Sequence, residues 1–347
     1  MIQPTGGGMK VLVIDDDPAI LELVTQYLSL SAQHEVRAEH SARDALAAVG
    51  EPGAVFDCFL VDIQMPGVDG ITLVEFIRER PEYRHTPIIM LTAMEDKDHV
   101  DRAFAAGATD YVTKPFDFYD LQIRIHAAGE AAEAKARHSS EAGPDPDVGE
   151  ADLARGSRLD DPISLPEVEG AIDYGEFENY VRQLLNRRLY RVSAIAVKIG
   201  GVEQIHAQFS PEDFRALIHD VAQEVRTALL AVGGILTYRG NGIFLCVPDR
   251  RLQGRRNAMQ KALNKRHRVV HPTLGRIPSS LYVGDQVPLG TGTGAGVLAS
   301  LELAIESVEA QNPGLGDLLD APKRFLNNDR LNDGTGQWDD GAGEPLM

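Results

Sequence analysis

Between Lys10 and Arg137 short apolar runs alternate with longer amphipathic stretches, and this alternation constrains the fold more than any other feature of the chain. The runs "VLVI", "AVFDCFLV" and "PIIML" are rich in Val, Ile, Leu and Phe. A strand with one wet face would alternate apolar and polar residues, so runs like these suit parallel strands covered on both faces. The amphipathic stretches fall at Pro18–Leu30, Ala42–Val49, Ile71–Arg80, Asp96–Ala106 and Phe118–Lys135. Pro18 stands where a first helical turn tolerates proline. Five strand-then-helix units predict an α/β fold with a doubly wound, five-stranded parallel sheet and right-handed crossovers.

Ligands of open α/β sheets bind at the carboxyl ends of the strands. Asp15, Asp16 and Asp17 follow directly on the first apolar run, Asp62 ends "CFLV", Thr92 ends "PIIML", and Lys114 follows "DYVT". Carboxylates crowded into one crevice repel one another unless a cation neutralises them. Hard oxygen donors at a partly open site suit Mg2+, which keeps several waters and also binds a phosphate. An ionised carboxylate beside that ion can attack a phosphoryl group and form an aspartyl phosphate. The metal and a lysine would stabilise charge on the equatorial oxygens. Thr92 could then donate a hydrogen bond to the phosphoryl oxygens, and Tyr111 could move inward as that contact forms. Each residue also has a plain structural reading: Asp17 as the cap of a helix beginning at Pro18, Asp62 as a turn residue, Lys114-Pro115 as a loop. Their joint order, each at a strand end, favours the chemistry.

These motifs, "VLVIDDDP", "LVDIQMPGVDG", "MLTA" and "DYVTKPF", resemble the response-regulator receiver domain of bacterial two-component signalling, over about Lys10 to Arg137. The resemblance implies a flavodoxin-like fold with Asp62 as phosphoacceptor. It implies that Asp15 and Asp16, with the backbone carbonyl of Gln64, hold Mg2+ beside Asp62. By the same resemblance Thr92 and Tyr111 form a switch pair and Lys114 contacts the phosphoryl group. A histidine kinase or a histidine phosphotransfer protein is implied as donor, in a phosphorelay.

The composition changes after the receiver-like segment. Residues 1–8 read as a flexible tail, 9–137 as the receiver, and 138–167 as an acidic flexible linker with few large apolar residues. Residues 168–326 read as a second α/β domain with a mixed sheet, and 327–347 as a disordered tail. The second domain resembles, in element order and apolar pattern, the GGDEF (diguanylate cyclase) domain over roughly Ala171 to Pro313. That chemistry needs acids that hold Mg2+. Lys198 stands where the first is expected, and the signature reads Gly240-Asn241-Gly242-Ile243-Phe244. Only its first glycine and its phenylalanine match. The Arg-x-x-Asp of the family's inhibitory site is absent from Ala231–Gly234. Asn241-Gly242 still suits a tight hairpin turn. The expectation is a catalytically inactive GGDEF-like output domain acting by protein interaction. The alternatives are a divergent diguanylate cyclase and a sensor that binds GTP or a cyclic dinucleotide.

The formal net charge of -18 argues against general affinity for nucleic acid or anionic lipid. The basic stretch Arg250–Arg268 reads as a solvated helix face, or else as a docking face for an acidic partner. The glycine-rich "GTGTGAG" (Gly290–Gly296) lacks the ending of a P-loop and reads as a connection. No apolar run approaches the roughly 20 residues of a membrane span. "MIQPTGGGMK" has no secretory pattern, and Cys58 and Cys246 read as buried thiols of a cytoplasmic protein. The downstream protein is not named by the sequence, and a homodimer is left open.

Overall fold

A computed structural model describes residues 8–31, 34–93, 96–140, 158–186, 192–231, 233–249, 256–271, 275–277, 279–289 and 294–311. The tail from Asn312, most of the segment between Ser140 and Arg158, and Arg250–Arg255 of the basic stretch lie outside the described residues.

The first sheet contains β1 (Lys10–Ile14), β2 (Glu35–Glu39), β3 (Cys58–Asp62), β4 (Ile88–Thr92) and β5 (Asp110–Thr113), all parallel, in the order β2-β1-β3-β4-β5. β3 and β4 are buried at every position, their four apolar residues as their pattern demands and the polar Asp62 and Thr92 at their carboxyl ends with them. Five helices connect or follow the strands: α1 (Pro18–Ser31), α2 (Ala42–Val49), α3 (Gly70–Arg78), α4 (Lys97–Ala105) and α5 (Phe118–Ser140). Their starts carry side-chain caps. Ser41, Asp69 and Asp96 accept backbone N–H groups of the first turns of α2, α3 and α4. Among the described residues, no helix is long and apolar enough to cross a membrane.

The second sheet is built from β6 (Ser193–Ile199), β7 (Gly234–Gly240), β8 (Ile243–Pro248) and β11 (Leu281–Val283) in the order β11-β6-β8-β7, with β12 (Val287–Pro288) also on β6. These ladders are antiparallel, and one parallel bridge, Ala171 to Leu236, makes the sheet mixed. β9 (Val269–His271) and β10 (Gly275–Ile277) form a separate ribbon. The helices here are α6 (Tyr174–Asn186), α7 (Val202–Gln208), α8 (Pro211–Leu229), α9 (Arg256–Arg266) and α10 (Gly294–Glu309). α7 is an element that the sequence reading passed over, because its apolar residues are few and it follows Gly200-Gly201 directly.

The stretch expected to be linker up to residue 167 is in fact part of the second core at its C-terminal end. Ile163, Leu165 and Val168 are buried there with Val197, Leu236 and Phe244. Gly170 and Ile172 exchange backbone hydrogen bonds with Leu236 at 2.9 and 3.0 Å, adding a short edge to β7. The apolar residues are spaced too sparsely for their burial to be visible in composition. The two sheets are also not independent bodies. Phe177, Tyr180, Val181 and Leu184 of α6 belong to the same continuous apolar cluster as Phe104 of α4 and Tyr111 of β5.

Candidate functional site

The carboxyl end of the parallel sheet gathers the acids. β1 leads into Asp15, which is fully buried, while Asp16 is exposed. Asp15 accepts the backbone N–H of Asp17 at 3.0 Å, and the Asp17 carboxylate accepts the N–H of Ala19 at 2.9 Å. Asp17 therefore caps α1, as its plain structural reading expected. On the neighbouring strand Asp62 ends β3, 3% exposed. One oxygen from each of Asp15, Asp16 and Asp62 can be chosen so that all lie within 4.8 Å of one another. Among the described residues this is the sole such acidic group.

Lys114 follows β5 and supplies the cation. Its Nζ donates to Asp15 Oδ2 at 2.5 Å and to Asp62 Oδ1 at 3.0 Å. Its backbone N–H donates to the carbonyl of Thr92 at 2.8 Å, which ties its backbone to the end of β4. Burial pushes the Asp62 carboxyl up to about 6, the ammonium of Lys114 opposes this, and the charges of Asp15 and Asp16 add to it. For Lys114, burial works to lower the pKa, but its bonds to Asp15 and Asp62 outweigh burial and raise it. At neutral pH the pair is thus a carboxylate against an ammonium.

Thr92 ends β4 and is fully buried; it stands opposite Thr113 of β5, and Asp62 stands opposite Leu91. Tyr111, also fully buried, pairs with Met90 inside the sheet. Gln64 lies two residues beyond Asp62 with its side chain exposed. The structure therefore brings Asp15, Asp16, Asp62, Lys114 and Thr92 to one end of the sheet, and sets Tyr111 in the core behind it.

Gly70 belongs to this site although the sequence reading did not single it out. A Cβ there would stand 2.0 Å from the backbone oxygen of Asp62. Only glycine lets α3 start so close to the end of β3. The Pro-Gly-Val-Asp-Gly run marks a turn, but which glycine meets Asp62 is decided by how the helix packs.

Residues Gly240–Phe244, expected from the sequence to be a degenerate signature, span the β7–β8 turn and the start of β8. Gly240 pairs with Ile243 across it, and Asn241 (φ 52°) and Gly242 (φ 71°) are both left-handed, as a tight hairpin turn of this kind requires. Lys198 pairs with Ile243 across β6 and β8, is 7% exposed, and donates to Glu309 at 3.2 Å. The turn is covered: the N–H of Asn241 bonds the carbonyl of Leu159 at 2.6 Å, and a Cβ on Gly240 would meet the Asp160 carbonyl oxygen at 2.3 Å.

Residues 11–126 match the family described as the response regulator receiver domain. The heme response regulator HssR of Staphylococcus haemolyticus is 38% identical over 119 residues, covering 34% of this chain and 50% of that protein. The transcriptional regulatory protein ResD of Bacillus subtilis is 36% identical over 118 residues, covering 34% and 47%. The chain spans about half the length of these curated relatives. The signal transduction histidine-protein kinase BarA of Shigella flexneri is 30% identical over 214 residues, 61% of this chain and 21% of that protein. Among solved structures, the BeF3-activated DrrB receiver domain is 34% identical, covers 35% of this chain and 98% of its own, and has a TM-score of 0.32. The chemotaxis response regulator CheY4 of Vibrio cholerae is 31% identical, covers 35% and 98%, and has a TM-score of 0.33. Residues 11–126 are a response regulator receiver domain, the phosphorelay module of two-component systems.

Proposed function

We propose that this chain is a cytoplasmic, phosphorylation-dependent response regulator in which Asp62 is the phosphoacceptor. The observation that carries the reading is a buried Asp62 at a strand end with Lys114 Nζ at 3.0 Å and the acids Asp15 and Asp16 beside it. In the transfer, a carboxylate oxygen of Asp62 attacks the phosphorus of a phosphohistidine. The P–N bond breaks, the imidazole leaves with the electron pair and takes up a proton, and an acyl phosphate remains on Asp62. The donor is a histidine kinase or a histidine phosphotransfer protein. Asp15, Asp16, Asp62 and the Gln64 carbonyl fit a hard divalent ion, and Mg2+ bound there would offset charge between carboxylates and phosphoryl oxygens. Lys114 holds the incoming phosphoryl group and neutralises its equatorial charge. Thr92, at the end of the adjoining strand, donates its hydroxyl to the acyl phosphate, and Tyr111 follows.

The second domain, in this reading, is a GGDEF-like module without cyclase chemistry that acts by binding protein. Lys198 paired with Glu309, an apolar Ile243 and the covered turn support it. The test is labelling by radioactive acetyl phosphate with Mg2+. The native chain should incorporate label and Asp62→Ala should not; full labelling of that variant would refute the assignment.

A further inference from the structure

Two exposed stripes of opposite charge lie on opposite faces of the second sheet. From Arg250 to Gly284 the chain has no acidic residue, although acids outnumber bases 52 to 34 overall. α9 lies in this stretch. Its inner side buries Leu263, and its Gln260 and Asn264 side chains close the outer edge of β11, accepting the N–H groups of Val283 and Leu281 at 3.2 and 2.8 Å. Lys261 and Lys265 on α9, and Arg268 just past its end, follow one another at steps of four and three and are all exposed. Arg268 donates to the carbonyls of Asn264 and His267, and among the described residues none of the three cations has a carboxylate partner. Like charges four apart on a helix repel each other, so the stripe is costly by itself. α10 carries the complement. Glu302, Glu306 and Glu309 take the same steps of four and three, all exposed, with Leu303 beside them at 54% exposure. Glu302 and Glu309 meet Arg239 and Lys198 at 3.4 and 3.2 Å, and Glu306 has no cation partner among the described residues. Leu301, Ala304 and Ile305 of α10 pack with Ala194 and Ala196 of β6, whereas Leu263 of α9 lies with Ile195, Val197 and Ile199. Successive residues of a strand point to opposite faces, so the sheet stands between the two stripes. They cannot neutralise each other within one chain.

We propose that α9 of one chain docks on α10 of a second copy of this chain, with Lys261, Lys265 and Arg268 against Glu302, Glu306 and Glu309. Run antiparallel, the two helices set their charged flanks together and lay Leu303 over Ala258 and Ala262, which are exposed on the outer side of α9. Exposed ion pairs contribute little each, so here they set register and steer encounter, while the leucine supplies apolar area. The side of the first sheet formed by α4 and β5 offers no such surface, because α6 lies against it and the Tyr180 hydroxyl donates to Asp101 Oδ1 at 2.8 Å. The two stripes are different surfaces on opposite faces, so the contact is heterologous. A docked pair keeps one free cationic and one free acidic stripe, and association continues past the dimer. Nucleic acid would also suit the cations, but it leaves the acidic stripe and Leu303 of α10 without a role. The contact is independent of whether Asp62 accepts a phosphoryl group.

The test is sedimentation equilibrium of the full chain at about 0.15 M salt, where a Debye length of about 8 Å screens the repulsion between two acidic chains but not pairs in contact. The mass should rise with concentration, up to about 0.5 mM, and pass that of a dimer. Lys261→Glu with Lys265→Glu, and separately Glu302→Lys with Glu306→Lys, should each weaken association at least roughly tenfold. An equimolar mixture of the two variants should associate again, because the reversed α9 then meets the reversed α10 and the native stripes still match. Restoration by mixing cannot come from chains that fail to fold. Leu303→Ser removes the apolar contact without touching a charge, and should weaken association several-fold should either reversal fold poorly. A single-chain mass at every concentration would overturn the proposal. So would association that neither reversal nor Leu303→Ser changes, or loss in folded variants that mixing does not restore. A salt-dependent shift of duplex DNA by the native chain, abolished by the α9 reversal while the chain stays single, would assign the cations to nucleic acid and overturn the docking.

Discussion

The contact between the two sheets should weaken as pH rises through neutrality, and Asp101 is the reason. Burial, the largest cause, and the shared hydrogen bond with Asp249 push its carboxyl up to about 7, against the opposing pull of Lys97 and the Tyr180 hydroxyl. The unperturbed value is 3.8, so between that pH and about 7 the native chain holds a proton that the unfolded chain does not. Stability from this group is full below the unfolded value and is lost as pH rises through the native one. With a native pKa of about 7, the contribution is on the order of 1 kcal/mol at pH 6 and close to nothing at pH 8. The native chain should therefore lose on the order of 1 kcal/mol across that interval from Asp101 alone. Asp101→Asn keeps an acceptor for Tyr180 and a donor toward Asp249 but cannot titrate. Urea unfolding of both proteins at pH 6 and pH 8 isolates the effect, because Asp62 and every other titrating group is common to both. The native chain should lose on the order of 1 kcal/mol more than the variant. Equal losses would show that Asp101 carries no extra proton and refute the electrostatic reading of this contact.

Further expectations concern the acidic site and the second domain. Lys114→Met removes the cation between Asp15 and Asp62, so the Asp62 carboxyl should move above its value of about 6, visible by NMR titration, and acetyl phosphate labelling should slow at least roughly tenfold. Gly70→Ala places a Cβ 2.0 Å from the Asp62 carbonyl oxygen and should cost about 1–3 kcal/mol in denaturant unfolding, with labelling reduced. Gly240→Ala combines a left-handed φ of 105° with a contact of 2.3 Å to the Asp160 oxygen, and should destabilise the second domain by a similar amount, about 1–3 kcal/mol, without affecting labelling. Incubation of the phosphorylated chain with GTP and Mg2+ should yield no cyclic di-GMP; clear turnover would contradict the reading of Lys198 and Ile243.

Much of the first sheet is legible from residue order because its signals are local. An unbroken apolar run of four residues is already a doubly covered strand, and a carboxylate immediately after it is at the strand's carboxyl end whatever the rest of the chain does. The turn at Asn241-Gly242 is equally local, since two left-handed residues in succession are what that pair tolerates. Tertiary structure decided the remainder. Asp101 lies on a helix with charged neighbours and reads as solvated, yet α6 covers it; Gln183 and Asp110 likewise become buried only because two distant segments meet. Ile163 and Leu165 look like isolated apolar residues in a polar stretch until the sheet of the second domain supplies the surface that buries them. The difference is one of range. Periodicity and turn chemistry act over a few neighbouring residues and are written in their order, whereas burial of a polar group is set by whichever surface arrives opposite it, and that surface here comes from about 80 residues away.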